Sequence, residues 1–378
     1  MQIAGIICEY NPLHLGHKKQ IDFLKANGYA VVCLMSGNFV QRGEPAIFHK
    51  MARAKAAVDC GADLVLELPI PYALSSAEGF AAGGVEILSR LCDTICFGAE
   101  DADADSLMAL AKGLLSPEFS LKLRPHLDAG LSFPSARTRA LSEMGLPAQL
   151  LDTPNNILAV EYCKAILAQN SPLKILPIHR QGSYHDENAD AENPSATSLR
   201  KLLKNGENWR DFVPKDAISA FENEKIHLLE NGENAMLYRL RTMTDADFEA
   251  LPYGSEGLWR KLMHASRRYI RLEQILEATK SKRYTRTRID RMILCAFLGL
   301  AERDFKSPVP YCRVLGFNDT GRQILGQVKE SGFFINIGED THLSYQQTEY
   351  RTTALYGLFA DPPEAPDAEA KYRVYYKK

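Results

Sequence analysis

His14 and His17, with Gly16 between them, are the residues in this chain best suited to handling a phosphoryl group. An imidazole N–H can donate to phosphoryl oxygen, and a glycine lets an anion approach the backbone. The residues around them place this pair. Ile3 to Cys8 is an apolar run of the length of a buried strand. Asn11-Pro12 breaks it, and a helical pattern runs from His14 to Asn27, where Gly28 can stop it. The histidines therefore fall where a first strand turns into a first helix, and free amides and the helix dipole favour an anion there. Alone, H-x-G-H reads equally as polar residues on a first helical turn; its position favours the phosphate reading. His-x-x-His can also chelate a metal, but no nearby Cys or carboxylate pattern completes a ligand set.

A second stretch, Ser195-Ala196-Thr197-Ser198-Leu199-Arg200, follows Asn193-Pro194 and opens another helix. Ser195 suits an N-cap, which by itself would explain the hydroxyls. Amides, hydroxyls and a guanidinium meeting at one helix start also make a phosphate clamp.

The elements that would hold these groups alternate. Strand patterns cover Ile3–Cys8, Ala30–Met35, Leu64–Leu68, Asp93–Gly98 and Leu173–His179. Helical patterns cover Lys50–Cys60, Ser76–Arg90, Asp103–Leu115, Asn156–Gln169 and Ser195–Lys204. This order predicts an α/β fold, a doubly wound parallel Rossmann-like sheet with ligands at the carboxyl ends of its strands. His14 and His17, Ser36-Gly37-Asn38, Glu67, Gly98 and His179-Arg180 all fall at such ends. From about Trp209 the pattern becomes mainly helical, with runs at Asp211–Glu230, Tyr238–Arg241, Ala246–Leu251, Gly257–Ala265, Tyr269–Thr279 and Ile289–Leu300. Tyr311–Leu315, Phe333–Ile337 and Arg373–Tyr376 can add short strands.

A net charge of −2 over 378 residues excludes a global polyanion binder, so any nucleic-acid surface is a local patch. Arg267, Arg268, Arg271, Lys280, Lys282, Arg283, Arg286, Arg288 and Arg291 form such a patch, with Tyr269 and Tyr284 interleaved. Basic residues among aromatics suit RNA phosphates and stacked bases; a solvated helix face with internal ion pairs is the alternative. The eight cysteines lie mostly in apolar runs without a C-x-x-C pair, as reduced core thiols of a cytoplasmic protein would. No segment has the ~20 apolar residues of a membrane span, and nothing in the sequence implies a stable protein partner.

H-x-G-H followed late in an α/β domain by a hydroxyl-rich turn and arginine resembles the HIGH-type nucleotidyltransferase superfamily. The resemblance narrows to the tRNA(Met) cytidine acetate ligase family through Glu9 to His17, Met35-Ser36-Gly37-Asn38-Phe39-Val40-Gln41-Arg42-Gly43-Glu44-Pro45, Gly61 to Pro69, Phe97-Gly98-Ala99-Glu100, Asn155 to Tyr162, Ser195 to Arg200, Lys282 to Ile289, and Arg313 to Asn318. The resemblance runs in order along nearly the whole chain. It implies that residues 1–205 form a nucleotidyltransferase-like domain for ATP and acetate, and 206–378 a mainly helical tRNA-binding region. It also implies that acetate attacks ATP to give acetyl-adenylate, which the N4 amine of the wobble cytidine of elongator tRNA(Met) then attacks. ATP would lie on Ile7-Cys8-Glu9-Tyr10-Asn11-Pro12-Leu13-His14-Leu15-Gly16-His17-Lys18-Lys19-Gln20, Gly98, Asn155 or Asn156, and Arg180.

His14 and His17 are then expected at the α-phosphate, Ser198 and Arg200 at the β,γ end, and Mg²⁺ on ATP oxygens and water, without a dedicated protein metal site. The tRNA would meet Arg267, Arg268, Lys282, Arg283, Arg286 and Arg288. Among the acids Glu9, Asp63, Glu67, Glu78 and Glu100, Glu67 is favoured for a role at the site. Gln41-Arg42-Gly43 is either a substrate-reading loop or a surface turn. Lys50 and Arg53 open a helix against its dipole and read most simply as surface charge. A small-molecule adenylyltransferase uses the same phosphate grips and is the alternative reading, but it needs no basic helical half.

Overall fold

Gly5 and the apolar residues around it form a buried strand, the middle one of five parallel strands. The computed structural model describes residues 1–180, 194–281, 283–336 and 343–378. The chain opens with β1 (Gln2–Cys8), α1 (Leu15–Ala26) and β2 (Tyr29–Ser36). Two-residue strands β3 (Phe39–Val40) and β4 (Glu44–Pro45) make a hairpin, followed by α2 (Lys50–Asp59) and β5 (Leu64–Leu68). Helices α3 (Ile70–Ala73) and α4 (Ala77–Leu88) lead to β6 (Thr94–Ala99). Helices α5 (Ala104–Leu115), α6 (Pro117–Asp128), α7 (Phe133–Glu143) and α8 (Pro154–Ala168) lead to β7 (Lys174–His179), and α9 (Ala196–Asn205) follows.

These strands order as β5-β2-β1-β6-β7, all parallel. The chain winds to one side of β1 and then to the other, which creates a crevice at the carboxyl ends beside β1. Alternation of side chains along β2 fills both faces. Val32 and Leu34 join the core under α4 and α8; Val31, Cys33 and Met35 join the one under α1 and α2. All eight cysteines are buried thiols without disulfides.

The second half contributes α10 (Lys215–Phe221), α11 (Glu233–Thr242), α12 (Asp245–Glu249), α13 (Leu258–Ser266), α14 (Leu272–Thr279), α15 (Arg286–Leu298) and α16 (Glu302–Lys306). Helices α11 to α15 bury a second core that includes Leu258, Leu262, Ile275 and Ile293 together with Phe39 and Leu74 of the first half, whereas α10 packs Ala217 and Phe221 into the core under α1 and α2. The helix expected over Asp211–Glu230 shortens to α10, because Pro214 lacks the N–H that a helix interior needs and starts α10 instead.

The chain then returns to the first sheet. β8 (Cys312–Phe317) pairs antiparallel with β5, placing Arg313 opposite Glu67. After α17 (Asp319–Val328), β9 (Phe334–Asn336) pairs with β8; after α18 (Leu343–Tyr356) and α19 (Ala368–Lys371), so does β10 (Tyr375–Tyr376). The sheet therefore crosses the boundary expected at residue 205. Asp63 helps hold the join: it accepts from the Val31 N–H, from Lys25 and from the side-chain amide of Asn318.

Candidate active site

The first strand-to-helix turn is held from outside by two arginines. Tyr10 takes a left-handed backbone, φ 45°, and redirects the chain as it leaves β1. Arg53 donates to the carbonyls of Glu9, Ser36, Gly37 and Phe48, and Arg200 Nη1 donates to the Asn11 carbonyl at 2.9 Å. Arg53 and Lys50 are buried at 0% and 1% exposure, so the surface-charge reading of both is corrected. Arg53 answers carbonyls stranded at strand ends; Lys50 answers the carboxylates of Glu67 and Glu369.

His14 caps α1, and its Nδ1 accepts from the Gly16 N–H at 3.1 Å. The His17 Nδ1 accepts from the His14 N–H at 3.3 Å. With both Nδ1 atoms accepting, each neutral ring carries its proton on Nε2 and can donate there. The rings stack, centroids 3.7 Å apart. Burial first, then Arg180 and Arg200, push the His14 imidazole down to about 3. Burial, then His14 and Arg180, also push His17 down. Arg200 reaches this turn from far along the chain, through its bond to the Asn11 carbonyl. The His14 Nε2 is buried without a hydrogen-bond partner among the described residues. A buried donor without a partner is costly, which fits a site built to receive an acceptor.

Lowered imidazoles carry a stability consequence. An unfolded histidine binds a proton below about 6.5, whereas folded His14 stays neutral until about 3. Stability is complete above the unfolded value and falls as pH drops from 6.5 toward 3, on the order of 5 kcal/mol from His14 at the lower limit. Urea unfolding between pH 7.5 and 4.5 should therefore show a falling midpoint with proton uptake on unfolding. His14→Gln should flatten that slope, and an unchanged slope would refute the assignment.

Arg200, on the second turn of α9, also approaches Glu44 Oε1 at 3.5 Å. Ser195 caps α9 by accepting from the Ser198 N–H at 3.0 Å. Ser198 is buried, and its hydroxyl donates to the Ser195 carbonyl at 2.8 Å, so it already serves the cap. On the other side of β1, Asn155 Nδ2 donates to Glu100 at 2.7 Å, and the Asn156 N–H donates to the same carboxylate at 3.0 Å. Arg180 Nη1 donates to Asn155 Oδ1 at 3.4 Å. A Cβ on Gly98 would meet nothing nearer than the Arg180 Cβ at 3.9 Å, so the strand end offers bare backbone to open space.

Within Ile7 to Gln20 the parts differ. Cys8, Tyr10 and Leu13 are core side chains and leave backbone for a ligand. Lys18 pairs with Asp22, and Gln20 donates to the Cys96 carbonyl at 3.2 Å. Glu67 belongs to a buried ion network with Lys50 and Arg313, which gives it a structural partner set the sequence did not show.

The basic stretch lies on α13 to α15. Arg267, Arg268 and Arg283 are exposed; Arg286 and Arg288 are half-buried; Lys282 lies outside the described residues. Arg267 pairs with Asp245, Arg283 with Glu256 and Arg286 with Glu273; Arg288 donates to the Tyr253 carbonyl, and Arg268 lies over the Tyr269 ring. Exposed pairs of this kind are worth about 0–1 kcal/mol, so a polyphosphate can displace the acids. Among the described residues, no group of three His, Cys, Asp or Glu side chains could hold a metal ion, and no helix is long and apolar enough to cross a membrane.

A parallel sheet with a histidine pair, a helix-borne arginine and an asparagine–arginine patch at one edge defines a nucleotidyltransferase. The HIGH nucleotidyl transferase family profile accordingly matches residues 1–371. The chain is 39% identical to a tRNA(Met) cytidine acetate ligase of Clostridium novyi over 352 residues, 87% of this chain and 88% of the relative. It is 37% identical to one of Acetivibrio thermocellus over 359 residues, 87% and 86% of the two chains. Two Thermotoga maritima TmcAL crystal structures, each 28% identical, superpose on it. The apo form gives a TM-score of 0.91 over 100% of this chain and 99% of that one. The form bound with alpha-thio ATP gives 0.88 over 100% of both. The chain belongs to the tRNA(Met) cytidine acetate ligase family.

Proposed function

We propose that this protein joins acetate to the wobble cytidine of elongator tRNA(Met) at the expense of ATP. The carrying observation is the stacked His14–His17 pair at the start of α1 with Arg200 held on the Asn11 carbonyl of the same turn, in a chain that matches ligases of this name over most of its length. The adenine lies toward Gly98, Asn155 and Arg180, and the triphosphate lies across the start of α1. One acetate oxygen attacks the α-phosphorus, and the bond to pyrophosphate breaks. The N4 amine then attacks the acetyl carbon, the bond to AMP breaks, and N4 loses a proton. Neither step needs an enzyme nucleophile. Each needs in-line placement and donors fixed where charge develops.

The Nε2–H groups of His14 and His17 face the α-phosphate, while Arg200 and the free amides of α9 hold the β,γ end. Ser198 supports that grip through its cap. Mg²⁺ carried on phosphate and water would supply charge neutralisation at the leaving pyrophosphate. The tRNA lies on residues 206–378 along Arg267, Arg268, Lys282, Arg283, Arg286 and Arg288. Under this reading the protein works in the cytoplasm, with its tRNA substrate.

Labelled acetate, ATP and bulk tRNA, followed by nucleoside analysis, tests this reading. ATP-dependent label in N4-acetylcytidine is expected. Unlabelled tRNA with no acetyl-adenylate formed would refute it, and adenylyl transfer to a small phosphorylated acceptor would favour the alternative.

A further inference from the structure

The hairpin of β3 and β4 touches both the clamp and the basic helices. The Gln41 N–H donates to Glu9 Oε1 at 2.9 Å, just ahead of the histidine turn. The Gln41 carbonyl accepts from Arg291 Nη1 of α15 at 3.3 Å. Glu44 Oε1 lies 3.5 Å from Arg200 Nη2, the guanidinium assigned to the triphosphate. Between them Gly43, at φ +85°, sits flush on α15: a Cβ there would lie 2.5 Å from the Arg291 nitrogen and 2.6 Å from the Asp290 carbonyl carbon. That contact is backbone against backbone, which does not yield as a side chain would. Asp290 in turn lies 3.8 Å from Arg286 Nε on the first turn of the same helix.

We propose that this hairpin couples the two substrate sites, with Glu44 as a positioning residue for Arg200. The inference rests on the reading above, in which α15 meets RNA and Arg200 meets ATP. Without RNA, Glu44 competes with phosphate for Arg200. An RNA phosphate that engages Arg286 and Arg288 shifts the first two turns of α15, with Asp290 and Arg291 on which the hairpin sits. The seated hairpin moves with it, and Arg200 is released toward the nucleotide. Linkage makes the effect reciprocal: RNA tightens ATP, and ATP tightens RNA by the same factor.

The test uses the full chain, a non-hydrolysable ATP analogue and elongator tRNA(Met), each titrated alone and with the other saturating. In the wild type, both dissociation constants should fall by one common factor of about five or more. Glu44→Gln should bind the analogue alone as tightly as the wild type does with tRNA present, and tRNA should then add less than about twofold. Gly43→Ala, whose Cβ drives the hairpin off α15, should lose the mutual effect by the other route. A wild type that binds both ligands without mutual effect overturns the coupling, as does a Glu44→Gln variant that retains it. A wild type that binds neither ligand overturns the adenylation reading beneath it.

Discussion

His17→Ala is expected to lower acetyl-adenylate formation by about 10²–10³, equivalent to about 2.7–4 kcal/mol in the barrier, while tRNA binding stays within twofold. The size follows from what the ring offers. Its Nδ1 is committed to the His14 N–H, so Nε2–H is a fixed donor that needs no reorganisation when charge develops. Removing either His17 or His14 also opens the reciprocal cap of α1, in which each ring accepts a backbone N–H, at a cost of about 0.5–2 kcal/mol of stability. Both imidazoles are held well below their ordinary range, so the adenylation rate should show no histidine titration near 6.5. His17→Gln, which can present an N–H at similar reach, should recover part of the rate. ATP–pyrophosphate exchange with acetate measures the first step, and filter binding measures tRNA. Activity within a few-fold of wild type would remove His17 from the α-phosphate; tRNA binding lost in parallel would make its role structural.

What the sequence shows of this molecule is what local pattern encodes. The strand–turn–helix around His14 is legible because an apolar run, a proline and a helical period are adjacent in the chain. Gly98 and Arg180 at one edge are legible because parallel topology brings strand ends together; Asn155, at the start of α8, enters only through the family resemblance. The hairpin at Phe39–Pro45 is not, since two-residue strands carry no period. Nor is the burial of Lys50 and Arg53, because their partners are carbonyls and acids distant in sequence. Arg313 to Asn318 could be recognised but not explained from the chain alone. Its explanation is β8, which carries Arg313 to Glu67 and sets Asn318 on Asp63. Pairing between strands so far apart is set by tertiary packing, which leaves no local mark.

The largest stability effect is expected at Arg313. This residue is 5% exposed and faces three carboxylates: Glu349 at 3.3 Å, Glu67 at 3.9 Å and Glu369. Lys50 contacts Glu67 at 2.9 Å and Glu369 at 3.0 Å. Two cations therefore serve three buried acids. Burial pushes Glu349 up to about 7 despite Arg313, while Lys50 and Arg313 hold Glu369 down to about 2 against its own burial. Arg313→Met keeps the packing but leaves Lys50 alone against the acids, and breaking such a network costs about 3–5 kcal/mol. The loss should depend on pH. A carboxyl raised above its unfolded value contributes stability below about 4.5 and loses it as pH rises through about 7, so Glu349 already opposes folding at high pH. Without Arg313 that opposition grows, and the urea midpoint of Arg313→Met should fall further behind wild type at pH 8 than at pH 6. Adding Glu349→Gln and Glu369→Gln, which remove the stranded charges, should restore much of the difference. A deficit below about 1 kcal/mol, or one equal at both pH values, would mean that the acids find other partners. The network joins α2 and β5 to β8, α18 and α19, so its loss should loosen the return of the chain to the sheet before it disturbs the histidine turn. Adenylation by the folded fraction of Arg313→Met should then stay close to wild type, separating this charge cluster from the chemistry at β1.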